Sequence, residues 1–273
     1  MPNVNKSNQD APDSIVGGPF EARYATTAEE LEQAQRLRYQ VLFKDSNGNP
    51  GAERSAGEID KDQWDEHADH IIVSDSRLNG TQVVGTLRLV SNKKLPAGQA
   101  FYTEQAFDLA NIRNRYDHLV ELGRFCISPD TRNGIVLALI WKLASNYILK
   151  NQVDLMLGCA SFPGTDATQH WREFGFLQKN ALTPADLQIP PIVPNHHRLQ
   201  ALCASVDGED KEIGALRDMP PLVRGYLKLG ARCSDCAIVD PEFNTTFVCI
   251  YVDAANFANT TTLLAPKVAK RGR

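Results

Sequence analysis

The sequence lacks a long hydrophobic run, which argues against a membrane-spanning protein. Its longest purely apolar stretch extends from Ile135 to Trp141, far below the roughly 20 residues that a transmembrane helix needs. The amino terminus also lacks the basic segment followed by an apolar one that a secretory signal contains. We therefore expect a cytoplasmic protein.

The chain also has no excess of positive charge. Its 29 lysines and arginines are outnumbered by 33 aspartates and glutamates, for a net charge of −4. A nucleic-acid-binding protein usually carries a basic stripe and a high isoelectric point, so no nucleic-acid partner is predicted. The hydrophobic content of 42% over 273 residues is sufficient for a folded core.

Metal-binding motifs are scarce as well. The six cysteines are scattered through mostly apolar segments, as reduced thiols of a cytosolic protein would be. Cys233 and Cys236 form a C-x-x-C pair, but no second pair stands at zinc-binding spacing. His196 and His197 lie in a proline-rich stretch that is typical of a solvated loop. No metal site is predicted.

The composition indicates one folded domain between two polar ends. Residues 1–22 are mostly polar, with proline and glycine, and are predicted to be a disordered tail. Residues 258–273 form a basic second tail, which is predicted to be solvated, with weak, salt-sensitive contact with anionic lipid as the alternative. A single domain is expected over 23–257, with 180–212 as an insertion that covers one edge.

Helix and strand patterns alternate within this domain. Thr27 to Glu30 has the spacing of a capping box, which predicts that a helix begins there. Strands are predicted over 70–74 and 83–90 from their apolar, β-branched composition. A long apolar helix is predicted over 135–149, followed by a buried strand over 153–160. The order of elements is that of an α/β protein.

Two ionisable side chains interrupt the otherwise buried strand at 121–128. Buried charges are costly unless they are paired, and paired titratable groups beside a cleft are candidates for catalysis. Strict alternation would direct Glu121 and Arg124 to opposite faces. A β-bulge at Gly123 would bring both to one side and separate the strand from its neighbour. The alternative is a structural ion pair across the sheet.

Such a separation has a chemical consequence for the acyl donor. Backbone groups left unpaired by the bulge would hydrogen-bond to the amides of a pantetheine arm, as though it were an added strand. The turn from Ser128 to Gly134 leads into the long helix and would direct its N–H groups at a phosphate, although an ordinary helix cap would look the same. The residues predicted to bind the acyl donor are Phe125, Cys126, Ile127, Arg132 and Gly134.

Two further arginines are predicted to face inward. Arg38 falls in the apolar stripe of the first helix, and Arg88 shares a strand face with Val84 and Thr86. A guanidinium at either position could hold a carboxylate in two hydrogen bonds. For Arg38, the alternative is that it pairs with a structural acid or extends to an edge.

The order of these motifs resembles two related families. The upstream motifs are similar to those of acyl-homoserine lactone synthases, which share the fold of GCN5-related N-acetyltransferases (GNAT); they are Arg38, Asp62-Gln63-Trp64-Asp65, Asp69-His70, Gly85 to Arg88 and Glu121 to Phe125. The downstream motifs resemble those of bacterial L-ornithine Nα-acyltransferases; they are Pro220 to Gly230, Ala237 to Asp240 and Phe243 to Thr246. Together the resemblances cover residues 23–257.

The resemblance implies both a fold and a reaction. The fold is GNAT-like and autoinducer-synthase-like, with a mixed, twisted central sheet, a bulged central strand and flanking helices. The reaction moves a 3-hydroxyacyl group from acyl carrier protein to the α-amino group of L-ornithine, giving lyso-ornithine lipid, with no permanently bound cofactor. Only Arg132-Asn133-Gly134 remains of the usual acetyltransferase pyrophosphate turn, which favours the carrier protein over coenzyme A as donor.

The chemistry assigns roles to the candidate residues. An amine must lose a proton before it attacks a thioester. Glu121 is the predicted base, since burial would raise its pKa, and Arg124 would orient it or stabilise the tetrahedral intermediate. The residues predicted to bind the amino acid are Arg38 or Arg88 at its carboxylate, Asp62 and Asp65 at its cationic side chain, Trp64 as a pocket wall, and His70.

Other functions are compatible with the same motifs. A synthase of acyl-homoserine lactones that uses S-adenosylmethionine would share the upstream residues. Another amino acid, such as glycine or glutamine, could replace ornithine, because the loops decide such specificity. A non-enzymatic acyl- or lipid-binding regulator would have kept the fold and lost turnover.

Overall fold

The computed structural model describes residues 13–78, 82–131, 134–203 and 211–259, and their central feature is one large sheet. Within these residues ten strands form that sheet: β1 (Ser14–Gly17), β2 (Phe20–Tyr24), β3 (Ala68–Asp75), β4 (Gln82–Ser91), β5 (Leu119–Ile127), β6 (Leu155–Pro163), β7 (His196–Arg198), β8 (Arg232–Cys233), β9 (Cys236–Asp240) and β10 (Thr245–Asp253). Their spatial order is β1-β2-β3-β4-β5-β6-β10-β9-β7, with β8 against β10.

Eight α-helices pack around this sheet within the described residues. They are α1 (Ala28–Tyr39), α2 (Gly51–Gly57), α3 (Ala110–Arg115), α4 (Gly134–Lys150), α5 (Trp171–Asn180), α6 (Leu199–Cys203), α7 (Lys211–Asp218) and α8 (Pro221–Lys228). The predicted capping box is present, because Thr27 accepts the N–H of Glu30 and the Glu30 carboxylate accepts the N–H of Thr27. The predicted long helix is also confirmed as α4.

The core lies on both faces of the sheet. On one face, α4 buries Val136, Ile140 and Leu143 in a cluster with side chains of β3, β4, β6 and β10. On the other face, Phe101 and Phe107 belong to a second apolar cluster with Leu157 and Tyr251. Removing apolar area from water at about 25 cal/mol per Å² is the main force that holds these layers together.

Strands β5 and β6 are parallel neighbours that diverge after a short contact. They pair only over Leu119–Glu121 and Leu155–Leu157. β6 stays paired with β10 along its whole length, and β5 stays paired with β4 as far as Ile127. At the point of divergence, a Cβ on Gly158 would lie 2.4 Å from the carbonyl oxygen of Leu122, so only glycine permits this approach.

The predicted bulge in β5 is confirmed, one residue later than expected. Arg88 of β4 lies opposite Gly123 and Thr86 lies opposite Cys126, so Arg124 and Phe125 share one partner position. Arg124, rather than the glycine, adopts the left-handed conformation, with φ of +54°. Such a backbone is strained for a residue with a Cβ, and the contacts of its guanidinium described below hold it in place.

The amino-terminal segment corrects one prediction. Residues 14–22 are not part of a tail, because β1 pairs with β2 and β2 extends the sheet beside β3. The strands on either side of Gly18, which has φ of +64°, are too short to show a clear alternation of apolar and polar residues. Residues 1–12 and 260–273 lie outside the described residues. Of the predicted insertion, β7 forms the sheet edge beside β9, and 204–210 lie outside the described residues.

Candidate active site

A cavity of about 400 Å³ opens where β5 and β6 diverge. It receives side chains from both faces of the sheet: Phe125 and Leu222 belong to the layer that contains α4, and Phe243 belongs to an aromatic cluster on the other face. The polar and aromatic residues that line it include Arg88, Tyr102, Glu121, Arg124, Cys159, Tyr226, Asp240, Phe243 and Phe247. The gap in the sheet is therefore an opening between two layers.

Glu121 is buried at the inner end of this gap, and three donors hold its carboxylate. Oε1 accepts the backbone N–H of Thr103 at 2.7 Å and its hydroxyl at 2.5 Å, and Oε2 accepts the N–H of Tyr102 at 3.0 Å. Burial raises the pKa of Glu121 even though the Thr103 and Tyr102 donors and the charge of Arg88 act to lower it. The carboxylate is thus oriented and more basic than an exposed one.

Trp64 holds the segment that supplies these donors. Its indole N–H donates to the carbonyl oxygen of Ala100 at 2.9 Å, and its ring lies edge-on to Tyr102 with centroids 5.5 Å apart. Trp64 is buried and does not line the cavity. The predicted pocket wall is therefore a support behind the Tyr102–Thr103 backbone.

Arg38 is completely buried and all three of its guanidinium nitrogens are used within the protein. Nε donates to Asp60 Oδ2 at 2.8 Å, and Nη1 and Nη2 donate to the two oxygens of Asp65 at 3.0 and 2.9 Å. Nη2 also donates to the carbonyl oxygen of Asp60 at 2.6 Å. Arg38 does not line the cavity, and its contacts match the alternative that it pairs with structural acids.

Arg124 is held by two aspartates and two aromatic rings. Its Nε donates to Asp60 Oδ2 at 2.8 Å and its Nη2 to Asp62 Oδ2 at 3.0 Å. The guanidinium carbon lies 5.1 Å from the ring centre of Tyr102 and 4.8 Å from that of Phe243. Burial acts to lower the pKa of Arg124, but the charges of Asp60 and Asp62 outweigh it and hold the pKa above its ordinary value. The charge at the bulge is permanent.

Arg88 has hydrogen-bonding capacity that the described residues do not use. Nη1 donates to Asp62 at 2.5 Å and to Asp65 at 2.8 Å. Its buried Nε has no hydrogen-bond partner in the part of the chain that the structure describes. Because Arg88 also lines the cavity beside Gly123, it can offer a donor to a bound anion.

Asp60 is one of the residues at this site that are not predicted from the sequence. It is fully buried at the end of the loop after α2, and its Oδ2 accepts from both Arg38 and Arg124. Although burial acts to raise the pKa of Asp60, the two arginines lower it. A charge count does not reveal it, because Glu121, Asp62 and Asp65 already equal the three inward arginines in number.

Several other predicted residues lie away from the cavity. Asp62 and Asp65 are both bonded to arginines and neither lines the cavity. His70 is buried with Nε2 2.9 Å from the carbonyl oxygen of Asp65, and burial lowers its pKa. The role of binding a cationic side chain therefore has to be assigned elsewhere.

The residues predicted to bind the acyl donor also lie partly away from the cavity. Phe125 lines the cavity, whereas Cys126 is buried and Ile127 packs against the core on the α4 side. Gly134 is exposed at the first position of α4, and Arg132 lies outside the described residues. Within the described residues, no group of three metal-ligating side chains converges, and no helix has the length and apolarity to cross a bilayer.

Cys159 is the one thiol among the described cavity-lining residues. Its sulfur lies 3.5 Å from the hydroxyl oxygen of Thr103. Burial raises the pKa of Cys159 to about 12, with the charge of Glu121 acting in the same direction. The thiol stays protonated near neutral pH, which disfavours it as a nucleophile.

Comparison with known proteins gives matches over most of the chain. Residues 37–142 match the acetyltransferase (GNAT) domain family, which confirms the predicted fold. The L-ornithine Nα-acyltransferase of Agrobacterium fabrum (strain C58) is 33% identical over 246 residues, or 88% of this chain and 83% of that protein. The enzyme of the same name from Brucella abortus (strain 2308) is 34% identical over 251 residues, or 89% and 88%. Among solved structures, the acyl-homoserine lactone synthase LasI has a TM-score of 0.43 at 10% identity, covering 86% of this chain and 90% of that one.

Proposed function

The chain belongs to the L-ornithine Nα-acyltransferase family, and from that premise we propose that it transfers a 3-hydroxyacyl group from acyl carrier protein to L-ornithine. The α-amino nitrogen forms an amide bond with the acyl carbon, the thioester C–S bond breaks, and the carrier leaves as a thiol after taking up a proton. The observation that carries this proposal is the cavity at the diverging strands, where Glu121, Arg88 and Arg124 meet.

The gap beside β5 is suited to the donor. Beyond Glu121, β5 no longer pairs with β6, so backbone groups on this side are free to bond to the amides of a pantetheine arm. An arm lying along β5 would bring its thioester to the bulge at Arg124 and Phe125. The acyl chain would then begin among Phe125, Leu222 and Tyr226, which line the cavity on the helical side.

Glu121 is suited to activate the amine. Its raised pKa makes it a stronger base than an exposed glutamate, and its three donors fix its direction. Oε2 accepts only one hydrogen bond within the described residues, which leaves a lone pair for the ammonium proton, directly or through a water. The protonated Cys159 thiol favours direct attack on the thioester over an acyl-enzyme intermediate.

The two cavity arginines have different roles in this scheme. Arg124 is anchored at Nε and Nη2, so it provides a fixed positive charge close to the oxygen that becomes negative in the tetrahedral intermediate. Arg88 retains donor capacity and is assigned to the substrate carboxylate. Arg38 is a positioning residue for both cavity arginines. Its partner Asp60 also binds Arg124, and its partner Asp65 also binds Arg88.

One product assay tests the proposal. Purified protein is incubated with 3-hydroxyacyl carrier protein or the matching acyl-coenzyme A, together with ornithine, glycine, glutamine or S-adenosylmethionine, and products are identified by mass spectrometry. Acylated ornithine formed from the carrier protein is the expected result. A lactone from S-adenosylmethionine would identify a homoserine lactone synthase, and acyl binding without any product would identify a regulator.

The substrates also suggest where the reaction takes place. Carrier-protein thioesters and free amino acids are cytoplasmic, and the product is an amphiphile that partitions into a bilayer. The four basic residues after position 265 provide attraction to anionic lipid of about 1 kcal/mol each. Peripheral contact with the inner face of the membrane is therefore part of the proposal, and a vesicle-sedimentation assay with and without anionic lipid tests it.

A further inference from the structure

Ornithine carries a second ammonium group that needs a counter-charge in the cavity. The acids first expected to provide it, Asp62 and Asp65, are bonded to arginines and do not line the cavity. Among the described lining residues, the carboxylates are Glu121 and Asp240. Glu121 is assigned to the α-amine, which leaves Asp240.

Asp240 presents one fixed and one unused oxygen. It is the last residue of β9, and its Oδ1 accepts the backbone N–H groups of Glu242 at 3.0 Å and Phe243 at 3.2 Å. These bonds lock the side chain in the turn between β9 and β10. Oδ2 has no hydrogen-bond partner in the part of the chain that the structure describes. Asp240 lines the cavity. An oriented carboxylate with a free oxygen is a site for an ammonium group.

The surroundings of Asp240 also favour a cation. Tyr102, Phe243 and Phe247 line the same cavity, and aromatic faces attract ammonium groups. Arg124, the cavity arginine that contacts the Phe243 ring, is already bonded to Asp60 and Asp62 and makes no ion pair with Asp240 within the described residues.

The protonation behaviour of Asp240 agrees with this geometry. Burial raises the pKa of Asp240, and the nearby Glu242 raises it further, although the two backbone donors and Arg124 act in the opposite direction. The carboxylate is thus poorly compensated within the protein itself. A bound ammonium would supply the missing positive charge and stabilise the ionised form.

We propose that Asp240 binds the side-chain ammonium of ornithine and makes the site selective for a diamino acid. This assignment depends on the proposed function, with Arg88 holding the carboxylate and Glu121 the α-amine. Each of the two acids would then bind one of the two amines, and only the amine beside Glu121 would be placed to attack the thioester. The acceptor would be fixed at three points, which determines which nitrogen is acylated.

The test compares Asp240→Asn with the wild-type protein on ornithine and on norvaline, which has the same carbon chain without the terminal amine. An asparagine carbonyl still accepts the two backbone N–H groups, so the turn is preserved while the charge is removed. A charged hydrogen bond contributes about 1.5–3 kcal/mol, so kcat/KM for ornithine should fall roughly 10- to 150-fold, mainly through KM. The rate with norvaline should stay within about twofold.

Asp186→Asn provides the matched control, because Asp186 is an exposed acid paired with Arg115 and does not line the cavity. The Asp186→Asn variant should change neither the rate with ornithine nor the rate with norvaline. If Asp240→Asn keeps the wild-type preference for ornithine over norvaline, or lowers the rates with both substrates equally, the assignment of Asp240 is overturned while the proposed function stands. A wild-type protein that does not acylate ornithine would overturn the proposed function and this assignment with it. Thermal melting of each variant shows that it is folded.

Discussion

Replacing Arg38 with methionine is expected to destabilise the protein strongly while removing no direct substrate contact. Methionine fills much of the same volume but removes the bonds to Asp60 and Asp65. Removing one partner of a buried ion pair costs about 3–5 kcal/mol, because the remaining charge is left without compensation. For a protein of this size, each kcal/mol lowers the melting temperature by about 2–4 °C, so the expected fall is roughly 6–20 °C.

The assay measures melting temperature and ornithine KM together, and Arg36→Met is the control. Arg36 lies on the same helix but is exposed and, among the described residues, pairs only with Glu32 and the carbonyl oxygen of Gly57, so its replacement should change stability by about 0.5 kcal/mol or less. If Arg38→Met instead raised KM more than tenfold at an unchanged melting temperature, Arg38 would be a substrate ligand. The structural role assigned here would then be refuted.

Three further outcomes are expected. Glu121→Gln should lower kcat by about a hundredfold or more while the variant stays folded, because the amide oxygen still accepts the Thr103 donors although the Tyr102 hydrogen bond is lost; wild-type turnover would exclude Glu121 as the base. Gly158→Ala should cost about 3 kcal/mol or more in urea unfolding, since its Cβ meets the Leu122 carbonyl oxygen, and soluble, equally stable protein would contradict the close approach. The unfolding free energy should fall as pH drops below about 4, because the lowered pKa of Asp65 makes the unfolded chain bind more protons there; urea midpoints between pH 3 and 7 that do not change would contradict it.

Matched controls sharpen two of these tests. Gly134→Ala is the control for Gly158→Ala, because an added Cβ at Gly134 would meet no atom within 4 Å. For the acid titration, the Arg38→Met variant should show a weaker pH dependence than the wild type. Burial by itself would raise the pKa of Asp65, and Arg38 is the largest of the contributions that lower it.

The sequence predicted the elements whose signal is local. The capping box at Thr27, the apolar run of α4 and the two long strands β3 and β4 all depend on residues a few positions apart, and the structure confirms them. The hairpin at 14–24 is not predicted because its strands are short and separated only by Gly18-Pro19. Its stability comes from pairing with β3, which is distant in the sequence.

The candidate site was predictable only in part for the same reason. Buried charges in a strand pointed to Glu121, Arg124 and Arg88, and all three line the cavity. Which acid pairs with which arginine depends on how loops meet in space, so Asp62 and Asp65 were assigned to the substrate and Asp60 was missed. The bulge was placed at the glycine because glycine tolerates a left-handed backbone, whereas tertiary contacts impose that conformation on Arg124.

The anchoring of Arg124 links catalytic competence to completion of the tertiary fold. Its partner Asp60 is 64 positions earlier in the chain, so the kink in β5 cannot be set by local interactions. Contacts of such long sequence separation form late during folding, after the loop-closure entropy has been lost. A chain that begins at β3 would retain the central strands but lose both aspartates that hold the bulge. We expect such a fragment to collapse around its core without acquiring acyl-transfer activity.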